Sequence, residues 1–249
     1  MLVSLANRTL GWVRTALMLY LAAFVMAAAV PALAQDYPGI IASPDRSDAD
    51  RQTDKRRDPV ELLTFTGAKT GWSVLDMGAG AGYSTELMAR SVGPSGKVYG
   101  QTDEEGEKLK ARMTTPVMHN ASVLVRPYDE PAPADVHDLD LITFYFAYHD
   151  TTYMAVDRAK MDKALFAALK PGGFLVIADH SALPEDGATV GKKYHRIAEQ
   201  TLRAEIEAAG FKFVNEGNFL RHPEDARTGI VFRNPTPVDE FVLKFQKPQ

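Results

Sequence analysis

The stretch Trp72-Ser73-Val74-Leu75-Asp76-Met77-Gly78-Ala79-Gly80-Ala81-Gly82-Tyr83-Ser84-Thr85-Glu86 constrains the fold of this chain more than any other. Val74 and Leu75 lie in a short apolar run that stops at an acid followed by three alternating glycines. From Ser84 to Val92 the pattern predicts a helix with Leu87 and Met88 on its apolar side. Strand, glycine turn and helix in succession let a nucleotide-like ligand lie against bare backbone. Glycine accepts φ > 0 and has no Cβ to hold the ligand off, and the helix N-terminus adds unpaired N–H groups.

The spacing narrows the ligand. A dinucleotide fingerprint needs G-x-G-x-x-G, and here Tyr83 stands where its third glycine belongs. Asp76-x-Gly78-x-Gly80-x-Gly82 instead resembles the first motif of class I S-adenosylmethionine-dependent methyltransferases. A second stretch, Leu169-Lys170-Pro171-Gly172-Gly173 before the strand Phe174–Ala178, resembles the same family about a hundred residues later. The resemblance runs from about Asp58 to Lys247. It implies a Rossmann-like α/β fold with a seven-stranded, mostly parallel sheet and a C-terminal antiparallel hairpin strand. It also implies S-adenosyl-L-methionine as cofactor, with Gly78, Gly80 and Gly82 passing beneath its methionine part and Asp76 helping to hold the amino group.

The remaining cofactor contacts follow from the same resemblance. An acid at the end of the second strand, Lys97–Gly100, would bond the ribose. That position falls on Gln101 or Thr102, a departure that leaves Asp103 as the nearest carboxylate. Asp129, after the third strand Ser122–Val125, is the candidate near the adenine, and Tyr145, at the end of the fourth strand, is a further cofactor contact.

Chemistry is expected beyond the carboxyl ends of the strands. The fourth strand, Asp138–Phe146, runs into Ala147-Tyr148-His149-Asp150, and Tyr194-His195-Arg196-Ile197 opens a later helix. Methyl transfer needs an aligned donor and acceptor and a group that takes a proton. His149 and His195 suit that task because imidazole titrates near neutrality, with Tyr148 and Asp150 as orienting or substrate-binding partners. Asp179-His180 only partly matches the ligands of metal-dependent catechol-type enzymes, so no metal is expected. The acceptor is expected to be a small molecule. The long loop from Asn218 to Asp239 is placed to contribute to the site.

Composition and the N-terminus bound the rest. The chain has 249 residues, is 45% hydrophobic and 24% charged, carries a net charge of −4 and has no cysteine. The charge points away from nucleic acid, and the absence of Cys excludes disulfides, thiolate metal sites and a thiol nucleophile. Arg8 and Arg14 precede or enter an apolar, Ala- and Leu-rich stretch that ends in Pro31-Ala32-Leu33-Ala34, the pattern of a secretory signal peptide cleaved after Ala34. This predicts a signal peptide over 1–34, an extended arm over 35–57 and a methyltransferase domain over 58–249. Export to the periplasm, without stable membrane insertion once the peptide is removed, is the expectation; an uncleaved membrane anchor is the alternative reading of 1–34. Because S-adenosylmethionine is made in the cytosol, an exported, non-catalytic binding protein of the same fold is the alternative function. A nicotinamide-dependent oxidoreductase is disfavoured by the glycine spacing.

Overall fold

The computed structural model describes residues Gln35–Gln249 as one compact unit; residues 1–34, over which a signal peptide is expected, lie outside the described residues. No described helix is long and apolar enough to cross a membrane. In chain order the elements are α1 (Tyr37–Ala42), α2 (Asp48–Arg57), α3 (Pro59–Thr66), β1 (Ser73–Met77), α4 (Tyr83–Val92), β2 (Lys97–Thr102), α5 (Glu107–Met113), β3 (Ala121–Val125), β4 (Leu139–Tyr145), α6 (Arg158–Ala168), β5 (Leu169–His180), α7 (Gly191–Tyr194), α8 (Glu199–Ala208), β6 (Lys212–Gly217) and β7 (Glu240–Gln246).

The strands form one seven-stranded sheet in the order β3-β2-β1-β4-β5-β7-β6. The first five run parallel, and β7 pairs antiparallel with both β5 and β6. The expected fold class is what forms. Its central strands bury both faces because successive side chains alternate between two helical layers. Leu75, Ile142, Phe144, Leu175, Ile177 and Leu243 face α6 and α8. Val74, Leu141, Val176, Ala178 and Val242 face α1, α3 and α4. Each such buried side chain contributes about 1.5–3 kcal/mol. The chain order reverses between β1 and β4, so their carboxyl ends diverge and open the crevice in which α/β sheets bind ligands.

Two local expectations, over 35–57 and after Tyr194, are corrected. The segment 35–57 is not an extended arm: it folds into α1 and α2. Ser47 caps α2 by accepting the N–H of Asp50 at 3.1 Å, and Arg46 pairs with Asp54 through two contacts of 2.6 and 2.7 Å. Asp58 does not cap α3 with its side chain; it sits at φ 39°, and Pro59 alone sets the first helical position. The helix expected from Tyr194 onward is broken. α7 ends at Tyr194, His195 takes φ 56°, and α8 begins only at Glu199.

Candidate active site

Leaving β1, the chain turns through Gly78, Gly80 and Gly82 at φ values of 66°, 55° and 81°. A Cβ on Gly78 would stand 3.0 Å from both Ala147 Cβ and the Tyr128 hydroxyl, so this glycine is needed for close approach to the end of β4. Gly80 is different. A Cβ there would meet nothing nearer than the Gly78 carbonyl at 3.8 Å, so the crest of the loop faces open space.

Asp76 sits beneath this loop and is wholly buried. Its Oδ2 accepts from Ser84 Oγ at 2.8 Å and Thr85 Oγ1 at 2.7 Å, and its Oδ1 accepts from Thr143 Oγ1 at 2.7 Å. Burial pushes this carboxyl above its usual range, against the pull of those hydroxyls. Asp76 therefore ties the first turn of α4 and the adjacent strand β4 to the end of β1, and it shapes the loop from inside.

At the end of β2, Gln101 is also fully buried. Its Oε1 accepts the Gly78 N–H at 3.0 Å, its Nε2 donates to the Arg126 carbonyl at 2.7 Å, and its own carbonyl accepts the Ala79 N–H at 2.7 Å. Thr102 donates to the Glu104 carbonyl at 2.7 Å, which leaves the exposed Asp103 as the carboxylate at this strand end. Tyr128 stacks on Phe144 with centroids 5.9 Å apart, and burial together with the nearby Asp103, Asp150 and Asp76 pushes its phenol up. Asp129 lies 3.5 Å from Lys160 Nζ and lines a separate cavity with Arg126, Val136 and Lys160. Tyr145 is buried on the α1/α3 side, its hydroxyl without a hydrogen-bond partner, and burial followed by Asp76 and Tyr37 drives its phenol well up.

The sequence reading missed Arg57, at the end of α2. Helix α2 is held over the glycine loop by Tyr83 donating to Asp54 at 2.7 Å and by Arg112, which grips Asp50 with two contacts of 2.8 Å while its Nε donates to the Ala81 carbonyl at 2.8 Å. This places the Arg57 guanidinium 4.5 Å from the Phe146 ring centre and 5.4 Å from that of Tyr83. Its Nε is buried without a hydrogen-bond partner, and among the described residues it forms no ion pair. Burial and the neighbouring Arg56 lower its pKa to about 10, so it stays charged at neutral pH. The signal was Ser47-Asp48-Ala49-Asp50, the spacing of a helix-start capping motif.

Beyond β4, Phe146 takes φ 57° and the chain enters a 3-10 turn over His149–Thr152. Tyr148 is fully buried and points away from the crevice: its hydroxyl lies 3.0 Å from Asp162 and 2.8 Å from Glu205. The expectation that Tyr148 orients the base or substrate is thus corrected, since burial against α6 and α8 claims it. His149 is held from two sides. Asp179 Oδ2 accepts its backbone N–H at 2.8 Å, Asp179 Oδ1 lies 2.7 Å from Nδ1, and Nε2 is 3.1 Å from Asp150 Oδ1. Burial alone would lower the imidazole pKa, but Asp179 and Asp150 prevail and raise it to about 10. The two carboxylates thus favour the protonated ring, and no lone pair of His149 faces the cavity unopposed.

His195 completes the group, with Nδ1 3.5 Å from Asp150 Oδ1. Its delivery depends on Gly191, where a Cβ would come within 2.7 Å of the His149 carbonyl, so α7 packs directly on the His149 turn. Arg196, fully buried, donates to Asp225 at 2.7 Å and to the carbonyls of Ser181 at 3.0 Å and Gly229 at 2.9 Å, which anchors the loop after β6. That loop brings Phe232 to 4.9 Å from the His195 ring. A cavity of about 530 Å³ results, lined by Arg56, Arg57, Phe146, Tyr153 and Phe232 around His149, Asp150 and His195. His180 lies at its edge, 2.9 Å from Glu240 but without hydrogen-bond alignment; burial lowers the imidazole to about 3 and raises Glu240 to about 8.

A glycine crest open on one side of a reversal in strand order, beside an unpaired guanidinium, suits a nucleoside ligand that carries an amino acid. Together with the sheet order, this fold and site define a class I S-adenosylmethionine-dependent methyltransferase, whose cofactor is S-adenosyl-L-methionine. Residues 59–204 match the model for protein-L-isoaspartate(D-aspartate) O-methyltransferase (PCMT), and the chain belongs to that family. The ubiquinone/menaquinone biosynthesis C-methyltransferase UbiE of Cronobacter sakazakii is 30% identical over 189 residues, covering 63% of this chain and 72% of that protein. A UbiE of Salmonella newport is 28% identical over the same shares. Among solved structures, a SAM-dependent methyltransferase from Aquifex aeolicus superposes with TM-score 0.60 at 21% identity, covering 84% of this chain and 98% of that one. A SAM-dependent O-methyltransferase from Thermotoga maritima superposes at 0.53 with 18% identity, covering 80% and 70%. These descriptions differ in acceptor and agree on methyl transfer.

Proposed function

We propose that this methyltransferase acts on a small, planar acceptor with an ionisable oxygen, bound in the cavity between Arg56, Phe146, Tyr153 and Phe232. One observation carries the reading: the unpaired Arg57 guanidinium, at the end of the helix docked on the glycine loop, lines the same cavity as His149, Asp150 and His195. Arg57 would hold the carboxylate of the methyl donor, Gly80 would lie against it, and Asp103 would serve its ribose. When bound, the sulfonium supplies an electrophilic methyl group. The protein's part is alignment and charge. His149 and Arg56 present positive charge to an acceptor oxygenate, while Asp150 and His195 stand at the open edge to take a proton.

Calorimetric titration of the full chain with S-adenosylmethionine and S-adenosylhomocysteine tests the donor side. Micromolar binding is expected, weakened at least tenfold in Arg57→Met, about 1.4 kcal/mol or more. Unchanged affinity in that variant would remove Arg57 from the site. A labelled-methyl transfer assay then sets hydroxylated aromatic acceptors against isoaspartyl peptides, and transfer to the peptides alone would sink the small-acceptor reading. We further infer that the protein is exported. The support is the charged, apolar and Ala-x-Ala order of residues 1–34, and fractionation of a Gram-negative host with N-terminal sequencing should recover a periplasmic chain starting at Gln35. A chain retained in the membrane with residue 1 intact would favour the anchor.

A further inference from the structure

We propose that His149, Asp150 and His195 bind a divalent first-row transition-metal ion at the floor of the acceptor cavity. One donor atom from each of the three lies within 4.8 Å of the others. Asp150 Oδ1 is 3.1 Å from His149 Nε2 and 3.5 Å from His195 Nδ1. Ions held at about 2.1 Å by imidazole and carboxylate bring neighbouring donors to about 3–3.5 Å of one another, so both pairs that include Asp150 already stand at ligand spacing.

The supporting shell is also in place. Asp179 is fully buried and takes both the backbone N–H and the Nδ1 side of His149, which fixes the ring with Nε2 toward the other two donors. A carboxylate behind a histidine in this manner is the usual device for orienting a metal ligand. His195 is presented from a left-handed backbone position, uncommon for a non-glycine residue, at the end of a helix that packs on the His149 turn through Gly191. The cavity leaves room beside the three donors for a non-protein ligand. Two imidazoles and one carboxylate select zinc, iron or manganese over calcium and magnesium, which prefer oxygen throughout. This departs from the sequence expectation of no metal. The reason is that His149 and Asp150 come from one loop and His195 from another, forty-odd residues later. On binding, the ion would displace the Nε2 proton of His149 to solvent and take over its positive charge, giving an acceptor oxygen a fixed anchor with Asp150 and His195 as ligands in place of proton acceptors.

The test uses the full chain, stripped with chelator and without methyl donor, so its result is independent of the cofactor reading. Cobalt(II) is the probe, and with no cysteine in the chain its visible bands report nitrogen and oxygen ligands alone. One ion per chain with micromolar affinity is expected, undisturbed by millimolar magnesium. His195→Asn preserves the left-handed position, which asparagine tolerates; this variant and Asp150→Asn should each weaken binding at least tenfold. His119→Asn, at an exposed site, should not change it. Absence of one-to-one binding in the unaltered chain, or affinity unchanged in both site variants, would overturn the proposal.

Discussion

The side-chain oxygen of Gln101 accepts the backbone N–H of Gly78 at 3.0 Å, so the end of β2 holds the glycine loop through an amide. An acid at this strand end would instead be available to a ribose. Gln101→Leu would leave the Gly78 N–H and the Arg126 carbonyl without that partner, at a cost of about 1–3 kcal/mol. Denaturant melts should show that loss together with weaker donor binding, because the loop would no longer be fixed. Unchanged stability would mean that the loop is held by the Ala79 and Asp76 bonds alone.

The glycines separate binding from stability. Gly80→Ala places its methyl in open space and pays only the left-handed backbone, about 1–2 kcal/mol, while projecting into the donor's path. Gly82→Ala would bring a methyl to 2.8 Å from Arg112 Cδ and 2.9 Å from Leu109 Cδ1. Thermal melts with S-adenosylhomocysteine titrations should find the first variant folded and impaired in binding, and the second markedly less stable.

Asp162 makes stability depend on pH. Burial raises its carboxyl to about 7, with Glu205 adding to the rise and the Tyr148 hydroxyl opposing it. The folded chain then holds a proton that the unfolded chain releases near pH 4. That contribution is complete below pH 4 and is lost as pH rises through 7. Across this window Asp162→Asn should remove a decline of about 4 kcal/mol from the wild-type stability profile. Parallel profiles for the two proteins from pH 4 to 8 would contradict this.

Helix α2 is pinned through Asp50 to Arg112, a contact largely withdrawn from solvent on both sides. Removing Asp50 leaves Arg112 its Glu86 partner, so the cost falls below the ~3–5 kcal/mol of a buried charge left wholly unpaired. Asp50→Ala should loosen α2 locally, visible as faster amide exchange over residues 48–57 and as reduced donor affinity through displacement of Arg57. Exchange unchanged there would show that the Arg46–Asp54 pair suffices.

Local pattern made much of this protein legible. The run Val74–Asp76 with Gly78, Gly80 and Gly82 contains within a dozen residues everything that dictates a strand, a left-handed turn and a helix. The unbroken apolar run Phe174–Ala178 likewise states a strand buried on two faces. His149, Asp150 and His195 were marked because polar residues at strand ends meet the ligand side of such a sheet. What each does with its side chain was decided by tertiary structure. Asp76 and Gln101 turn inward because neighbouring strands present Thr143 and Gly78 to them; Tyr148 turns away because Asp162 and Glu205 receive its hydroxyl. His149 is held toward its charged form because Asp179 and Asp150, from β5 and its own turn, converge on one ring. Arg57 enters the site only because Tyr83 of α4 and Arg112 of α5 dock a polar helix with no apolar stripe to announce it. Hydrophobic periodicity is a property of neighbours in sequence, and these pairings are made between side chains far apart in it.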